Sequence, residues 1–436
     1  MVNSKIIALF HTILEPSAMR FTIIGQTGFL PFLITRLFTM FAIQIQSIIV
    51  GWHLYDTLRD PMALAYVGLA QFIPMVFCLP IAGDVADRYN RKIILAIGLI
   101  IACLCSASLM IIAIEGKDYI YWTYAILIIF GMTRSFINPV LQSLLPQIVA
   151  MDKLPQSLAT NSTLMKLATI LGPVSGGILY SVSSEFSYLA CTLFFLLAVI
   201  PLVWVKLLYA NQTPVTEAFQ LSAVWQRFVE GILFIRQRPI VLGAISLDLF
   251  AVLLGGVVTL LPIYASEVLH VGAQGLGILR SSMSVGEILA GIYLTAFPIK
   301  KAVGKVMLVA VALFGMANLV FALSTWFWLS VAALMIAGIC DMVSVNVRSS
   351  LIQLSTPDSL RGRVSAVNML FISSSNELGE FRAGSTAHFI GTVPTAVTGS
   401  LMTLAVVFFM QLKFKSLVNV NTFAEAGVQN QKNIHA

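Results

Sequence analysis

Residues 83–92 read Gly-Asp-Val-Ala-Asp-Arg-Tyr-Asn-Arg-Lys, which places five charged side chains in ten positions. Only 10% of the 436 residues are charged and 58% are hydrophobic, so this cluster stands out from its surroundings. Apolar runs of membrane-spanning length flank it on both sides, at Met62–Ala82 and Ile93–Ile114. A charge cluster between two such runs indicates a short, water-exposed turn between two membrane-spanning helices.

The composition places the whole chain in a membrane. Soluble globular proteins carry about 25% charged residues, against 10% here, so the soluble globular class is excluded. Runs such as Val199–Val205 and Val306–Leu323 are apolar at nearly every position and lack the alternation of a β-barrel strand. Because only helices and closed barrels satisfy the backbone in lipid, the sequence predicts an all-α integral membrane protein.

Apolar windows predict twelve transmembrane helices in two pseudo-symmetric six-helix bundles. Residues 1–28 are an N-terminal lead-in, 29–208 the N-terminal bundle, 239–413 the C-terminal bundle and 414–436 a tail. Residues 209–238 form a more polar linker, and its aromatic and arginine residues indicate an amphipathic interfacial helix. The predicted spans are 29–54, 62–82, 93–114, 121–143, 157–181, 186–208, 240–263, 274–297, 305–323, 327–348, 364–388 and 392–413.

Lysine and arginine residues predict the orientation. If the 83–92 loop is cytoplasmic, that side collects nearly all the basic residues outside the spans, and the opposite side keeps only Arg59 and Lys117. The lead-in, linker and tail are then cytoplasmic, and the net charge of +7 follows from topology without a nucleic-acid partner. The five cysteines and five histidines show no paired or ligand spacing, so neither a metal site nor a cofactor is predicted.

The 83–92 loop has the residue types of a gate that closes and reopens. A glycine lets the second helix approach a neighbour, the aspartate can face the positive N-terminus of another helix, and the arginines can bind acidic groups or helix-end carbonyls. We expect the contact to form against the start of the eleventh span, near Arg361–Val364. The alternative is a positive-inside loop with no gating role. The predicted gating residues are Gly83, Asp87, Arg88, Arg91 and Lys92.

A second marker lies in the fifth span, where residues 172–177 read Gly-Pro-Val-Ser-Gly-Gly. Pro173 removes a backbone hydrogen bond. Gly172, Gly176 and Gly177 permit either bending or close helix contact. The motif therefore predicts a bending point, and ordinary packing of small residues between helices is the alternative.

Charged side chains inside membrane spans are costly, and each is therefore a functional hypothesis. A proton-coupled carrier needs a carboxylate that takes up a proton on one side and releases it on the other. The alternative for each carboxylate is a structural ion pair between helices, for example Arg280 with Glu287. The candidates for proton coupling are Arg134, Asp248, Glu287, Glu377 and Glu380.

Two pseudo-symmetric halves place a substrate cavity at their interface near the midplane. We expect the first, fourth, seventh and tenth spans to line it. Lys166, in the fifth span, would either extend toward the membrane surface or bind an anionic substrate. The polar cavity side chains would be Arg36, Gln44, Asn138 and Asp341, together with Arg134 and Asp248.

The spacing Gly-x-x-Ala-Asp-Arg-x-x-Arg-Lys resembles the signature loop of major facilitator superfamily transporters. Residues 172–177 are similar to the fifth-helix motif of exporters in this superfamily, and Arg134 stands where many members have an arginine linked to proton coupling. The chain most resembles the enterobactin-exporter and macrolide-efflux type, on Trp52–Tyr55, Asp60-Pro61, Gln71–Pro74, Leu144–Pro146, Arg361–Val364 and Asn376–Phe381. The resemblance implies a monomeric, twelve-helix inner-membrane carrier that exports small molecules, siderophores or drugs against proton entry.

Taken together, the residues and the resemblance predict a transporter and not an enzyme. It would export a siderophore-like or drug-like small molecule across the cell inner membrane by proton antiport, with the substrate, protons and the lipid bilayer as its partners. A proton-coupled importer on the same fold, for instance of a ferric siderophore, is one alternative. A non-transporting membrane receptor or scaffold is another, although no tail is long enough for a signalling domain.

Overall fold

A computed structural model describes residues 28–150, 153–208, 221–357, 360–423 and 425. Six long helices form the first half. Helix α1 begins at Phe29, directly after Gly28. Asp60 is the N-cap of α2, which begins with Pro61, and Asn90 is the N-cap of α3. Their bounds are α1 Phe29–Leu58, α2 Pro61–Arg88, α3 Arg91–Glu115, α4 Trp122–Ile148, α5 Leu154–Val182 and α6 Ser184–Val199, which a 3-10 turn extends through Ile200–Trp204.

Six further helical segments form the second half. Helix α7, Pro239–Gly255, stops at a Gly-Gly pair and continues through short turns at Val258–Leu260, Leu261–Ile263 and Tyr264–Val268. The others are α8 Gly272–Ala296, α9 Val303–Leu323, α10 Phe327–Ser355, α11 Arg361–Ile390 and α12 Thr392–Lys413. A linker helix, Leu221–Gln237, precedes the second half, and a short helix, Lys415–Val418, follows it.

Ten of these segments have the length and apolar composition of membrane spans, judged over the described residues. The two that fall short are α8 and α11, which carry Arg280, Glu287, Glu377, Glu380 and Arg382 along their lengths. Charges lower the mean hydropathy of these two helices, yet both are continuous over 25 and 30 residues. The all-α, twelve-helix prediction is confirmed, and its two polar exceptions mark where the functional site lies.

Each half has its own apolar core, and one cluster joins the two. Phe32, Leu99 and Leu144 belong to a core within the first half, and Leu247, Val347 and Val407 belong to one within the second. The joining cluster combines Trp52 and Tyr55 of α1 with Tyr264 and other residues of the second half. We call this end of the bundle the far end, because it lies opposite the 83–92 loop, and the other the loop end.

The halves approach one another most closely along two helix pairs, α2 with α11 and α5 with α8. Small residues make this possible, because a Cβ atom on Gly384 of α11 would lie 2.9 Å from the Pro61 carbonyl oxygen of α2. A Cβ atom on Gly277 of α8 would likewise lie 2.5 Å from the Pro173 carbonyl oxygen of α5. Backbone contact of this kind is the usual basis of helix packing in lipid.

The linker helix packs against the start of α11. Phe234 and Ile235 share an apolar cluster with Val364 and Val367. Arg363 forms an ion pair with Glu230 beside it. The helix therefore covers the loop end of the second half.

Candidate functional site

A cavity lies between the two halves and is divided into two lobes. The first lobe, about 160 Å³, is lined by α1, α2 and α4 on one side and by α7, α8 and α11 on the other. The second lobe, about 440 Å³, is lined by α5 and by helices α7 to α11. The lobes share Gln44, Val258, Thr259, Arg280, Glu377 and Glu380, so they lie directly beside each other.

The break in α7 contributes backbone to the cavity wall. Gly255 ends the regular helix, and Gly256 to Thr259 line the second lobe in its place. Non-helical backbone at membrane depth is tolerated where it is buried in protein or faces a water-filled cavity. Interrupted helices of this kind typically mark binding sites in transporters.

Four charged side chains surround the region shared by the lobes, and we call them the central cluster: Arg134, Arg280, Glu377 and Glu380. Glu377 and Glu380 are three residues apart on one face of α11, and both interact electrostatically with Arg134 and Arg280. Arg134 also donates a hydrogen bond of 3.0 Å from Nη1 to Oε1 of Gln71. The cluster combines residues from both halves, so a change in its charge acts on the interface between them.

Amide side chains complete the first lobe. Gln44 and Gln46 of α1 and Gln71 of α2 all line it. The Gln46 side chain is 1% exposed, and neither its nitrogen nor its oxygen has a hydrogen-bond partner among the described residues. Buried polar atoms are normally hydrogen-bonded, so the Gln46 amide is an exception beside this lobe.

A second set of charges lies at the larger lobe, and we call it the side cluster: Glu287 and Asp341, which line the lobe, and Lys166, which contacts Glu287 from α5. The Nζ atom of Lys166 on α5 lies 2.7 Å from the Glu287 Oε2 atom on α8, so this ion pair bridges the halves. Asp341 on α10 interacts electrostatically with both partners. Glu287 therefore pairs with Lys166, and the suggested structural pair of Arg280 with Glu287 is not formed.

Polar contacts reinforce the joining apolar cluster at the far end. The Tyr55 hydroxyl donates a hydrogen bond to the Glu267 carboxylate. Arg59 donates from Nη1 to the Ser266 hydroxyl at 2.9 Å. His388 Nδ1 lies 2.8 Å from Asp60 Oδ1. These contacts all cross between the halves, so the structure is closed at the far end.

The family model described as Major Facilitator Superfamily matches residues 32–379. The chain belongs to this superfamily. Membership in the superfamily, the fold and ten apolar spans among the described residues make it a multi-pass membrane protein. The resemblance to the major facilitator superfamily that residues 83–92 indicate is confirmed.

Individual relatives in the superfamily are distant. Macrolide efflux protein A of Streptococcus pyogenes is 26% identical over 156 residues, 34% of this chain and 38% of that protein. The chain thus matches little more than a third of that relative's length. The Na(+), Li(+), K(+)/H(+) antiporter of Planococcus maritimus is 21% identical over 337 residues, 70% of this chain and 77% of that protein.

Solved structures of transporters share the fold. A bacterial homologue of the human lysosomal transporter Spinster, in an inward-facing and occupied conformation, gives a TM-score of 0.68 at 13% identity. The match covers 92% of this chain and 97% of that one. At this identity the likeness concerns the superfamily fold alone.

The structure brings together most of the candidate residues but not all of them. Gln44, Arg134 and Asp341 line the cavity as expected for polar wall residues. Arg36 and Asn138 line neither lobe, so their place in the cavity stays a prediction. Arg36 lies eight residues before Gln44, about 12 Å closer to the loop end along α1, and donates to the Leu141 carbonyl oxygen at 3.1 Å.

Asp248 lines neither of the two lobes, and its expected place among the cavity side chains stays a prediction. It forms an ion pair with Arg348 of α10, and the two side chains are 8% and 4% exposed. Helix α7 turns this residue toward α10, where it also lines a small recess beside Asp341. Its role in proton coupling stays a prediction, and the ion pair with Arg348 is the structural alternative.

The gating residues lie at the loop end, within and just after α2. Arg91 donates hydrogen bonds to the Ala86 and Ser143 carbonyl oxygens at 2.9 and 3.2 Å, and Lys92 donates to the Val205 carbonyl oxygen at 2.7 Å. These contacts tie the loop to helix ends of the same half. Arg88 is half-buried there. The positions of Gly83 and of the Asp87 and Arg361 side chains lie outside the described part of the structure, so gating stays a prediction.

The fifth-helix motif faces two neighbours. A Cβ atom on Gly172 would lie 2.6 Å from the Gln44 Cβ atom, and Gly176 also packs on α1, against Ile45. Gly177 packs against the Ala273 carbonyl group of α8. Helix α5 continues through Pro173 from Leu154 to Val182. The glycines thus form close contacts, and bending remains a prediction.

The sequence does not identify two residues of the site. It indicates Arg280 only as an ion-pair partner and does not indicate Gln46, and for Lys166, a possible anion-binding residue, it does not show the pairing with Glu287. A polar residue inside an apolar span is the available signal for Gln46, but the sequence does not show which face of α1 it occupies.

Proposed function

We propose that this chain exports a small organic molecule across the cell inner membrane by proton antiport with alternating access. The observation that carries the proposal is the central cluster, which combines two arginines and two glutamates from both halves inside one cavity. Ionisable groups at membrane depth are expensive and typically mark proton or substrate pathways. Alternating access requires such groups at the interface between the halves, and these four side chains lie there.

Proton coupling is assigned to Glu377 and Glu380. When both are ionised, two negative charges face two positive charges from Arg134 and Arg280. Protonation of either glutamate leaves an arginine without its counter-charge, and this changes the electrostatic attraction between the halves. Glu287 is the next candidate, because protonation would release Lys166 from its ion pair between α5 and α8.

Alternating access then requires the far end to open. Its hydrogen bonds and ion pairs, such as Tyr55 with Glu267 and His388 with Asp60, are contacts that must break in that step. The basic residues around Arg91 and Lys92 favour a cytoplasmic position for the loop end. In this orientation both termini are cytoplasmic, and the closed far end faces the opposite side of the membrane.

The substrate class follows from cavity size and from the relatives. A lobe of about 440 Å³ lies within the range of small-molecule sites and combines apolar residues with a few charges. The macrolide efflux relative favours an amphipathic, drug-like substrate over a siderophore-like one. The antiporter relative favours a second candidate function, exchange of an alkali cation for protons.

Everted membrane vesicles with an imposed proton gradient, acidic inside, test the proposal. We expect gradient-dependent uptake of a macrolide or an amphipathic dye into vesicles that contain the protein. The double variant Glu377→Gln/Glu380→Gln should lose this uptake, whereas Asp118→Asn, on an exposed loop, should retain it.

The alternatives give different outcomes in the same vesicles. An importer would release pre-loaded substrate under the same gradient. An alkali-cation antiporter would move protons when sodium or potassium is added and would ignore the organic solutes. A receptor or scaffold would move nothing, and that result would overturn the proposal.

A further inference from the structure

The central cluster and the side cluster differ in how many positive and negative side chains they contain. Arg134 and Arg280 face Glu377 and Glu380, so the central cluster has equal numbers of positive and negative groups. The side cluster has one lysine for two carboxylates, and the Lys166 ammonium is bonded to Glu287. Among the described residues, the two clusters together therefore contain three cations and four carboxylates, and Lys166 is the one cation that lines neither lobe.

The unmatched carboxylate is that of Asp341. It lines the second lobe and makes no hydrogen bond or ion pair with any residue that the structure describes. Other nearby cations are engaged elsewhere. Arg348 pairs with Asp248, and Arg382 donates from Nε to the Leu253 carbonyl oxygen at 2.9 Å and lines neither lobe.

A second observation at the same place also indicates a ligand. A recess of about 10 Å³ opens beside Asp341 and is lined by Ser344. The Ser344 side chain is 2% exposed, and its hydroxyl has no hydrogen-bond partner among the described residues. Buried hydroxyl groups are normally paired, so this oxygen is available to a group that binds at Asp341.

The side chains around Asp341 indicate which kind of chemical group binds there. Phe314 lines both the recess and the lobe, and Leu279, Met283 and Leu334 line the lobe around it. A hard inorganic cation is held by about six or more oxygens, whereas an unpaired carboxylate beside apolar side chains and an aromatic ring suits an organic cation. Asp248 also lines the recess, but its carboxylate is paired with Arg348.

We infer that Asp341 binds the cationic group of the substrate, and that the substrate class is an organic monocation with an apolar body. This inference rests on the proposed function, because it identifies which small molecules the transporter accepts. The unmatched charge supplies the preference for a cation, and the Phe314 wall accommodates the apolar part. Asp341 is then a specificity-determining residue.

Binding to the full-length purified protein in detergent tests the inference without any proton gradient. Radiolabelled tetraphenylphosphonium and the similarly shaped anion tetraphenylborate serve as probes in equilibrium dialysis at mildly alkaline pH, with empty micelles subtracted. We expect the cation to bind and the anion not to bind. Asp341→Asn should weaken cation binding about tenfold, the effect of an interaction worth about 1.4 kcal/mol, and Asp118→Asn should not change it.

Two further variants separate charge balance from structural damage. Lys166→Gln removes a cation from the side cluster, so cation affinity should rise, and Glu287→Gln removes a carboxylate, so it should fall. If Lys166→Gln and Asp341→Asn both weaken binding, or if tetraphenylborate binds as well as tetraphenylphosphonium, the inference is wrong. Displacement of the probe by sodium but not by choline would assign the site to an alkali cation and would equally overturn it.

The result is distinguishable from failure of the proposed function. Charge-selective binding without proton-driven transport would leave the site intact and reject antiport. Proton-driven transport of neutral or anionic solutes that is indifferent to Asp341→Asn would retain antiport and reject the substrate class.

Discussion

The buried ion pair between Asp248 and Arg348 leads to the most quantitative prediction. The two side chains are 8% and 4% exposed, and the Arg348 Nε atom has no partner among the described residues. Apolar neighbours such as Leu247, Val347 and Leu351 pack nearby in the same half. Removing one partner leaves a single charge in an apolar environment, whereas replacing both removes the charges together.

The expected magnitudes follow from this burial. Breaking a buried pair by removing one partner costs about 3–5 kcal/mol, which shifts the unfolding equilibrium by about two to nearly four powers of ten. Replacement of both partners by apolar residues of similar size is often neutral or stabilising. Asp248→Leu and Arg348→Met should therefore each destabilise the protein strongly, and the double variant should recover most of the loss.

Unfolding of the purified protein in mixed micelles, titrated with a denaturing detergent, measures these free energies. Asp118→Asn serves as the control, because its side chain is exposed. Transport assays on the double variant then decide the function of the pair, and we expect proton-driven transport to persist. The reasoning is refuted if Asp248→Leu leaves stability unchanged, or if the stable double variant transports substrate without moving protons.

Three further predictions concern coupling, packing and access. Glu380→Gln should keep substrate binding but abolish substrate-induced proton release from the solubilised protein, measured with a pH indicator, while Asp118→Asn releases protons normally. Gly277→Val should lower the melting temperature, because its Cβ atom would lie 2.5 Å from a carbonyl oxygen of α5, whereas Gly362→Ala, with no atom within 4 Å, should not. Tyr55→Phe removes one hydrogen bond at the far end, worth about 1 kcal/mol, and should increase labelling of a cavity cysteine from that side about fivefold. An unchanged proton release, melting temperature or labelling rate would count against the respective claim.

The fold could be predicted almost entirely from the sequence because the bilayer imposes a strong rule. A membrane-spanning helix must be long and apolar, and the loops between spans carry the basic residues. Even α8 and α11, which fall short of the hydropathy of a span, are predicted as spans from the windows 274–297 and 364–388. Helix ends moved by several residues, as with α11, predicted from 364 and found from Arg361.

The site could be predicted only in part, since it depends on contacts between the halves. The pair Glu377 and Glu380 was identified from its depth in a span and its spacing. The ion-pair partners could not be identified from the sequence, because Lys166 and Glu287 are 121 residues apart in the chain. Asp248 shows the same limit, since depth in a span does not tell whether a carboxylate faces the cavity or a neighbouring helix.

The central claim is that protons and substrate move in opposite directions through one cavity. Proteoliposomes that contain the purified protein and a trapped pH-sensitive dye test it most directly. With no pH difference imposed, an outward gradient of a transported substrate should drive protons inward, and Glu377→Gln/Glu380→Gln should abolish this movement. Substrate efflux without proton entry, or protons leaving together with the substrate, would contradict the account.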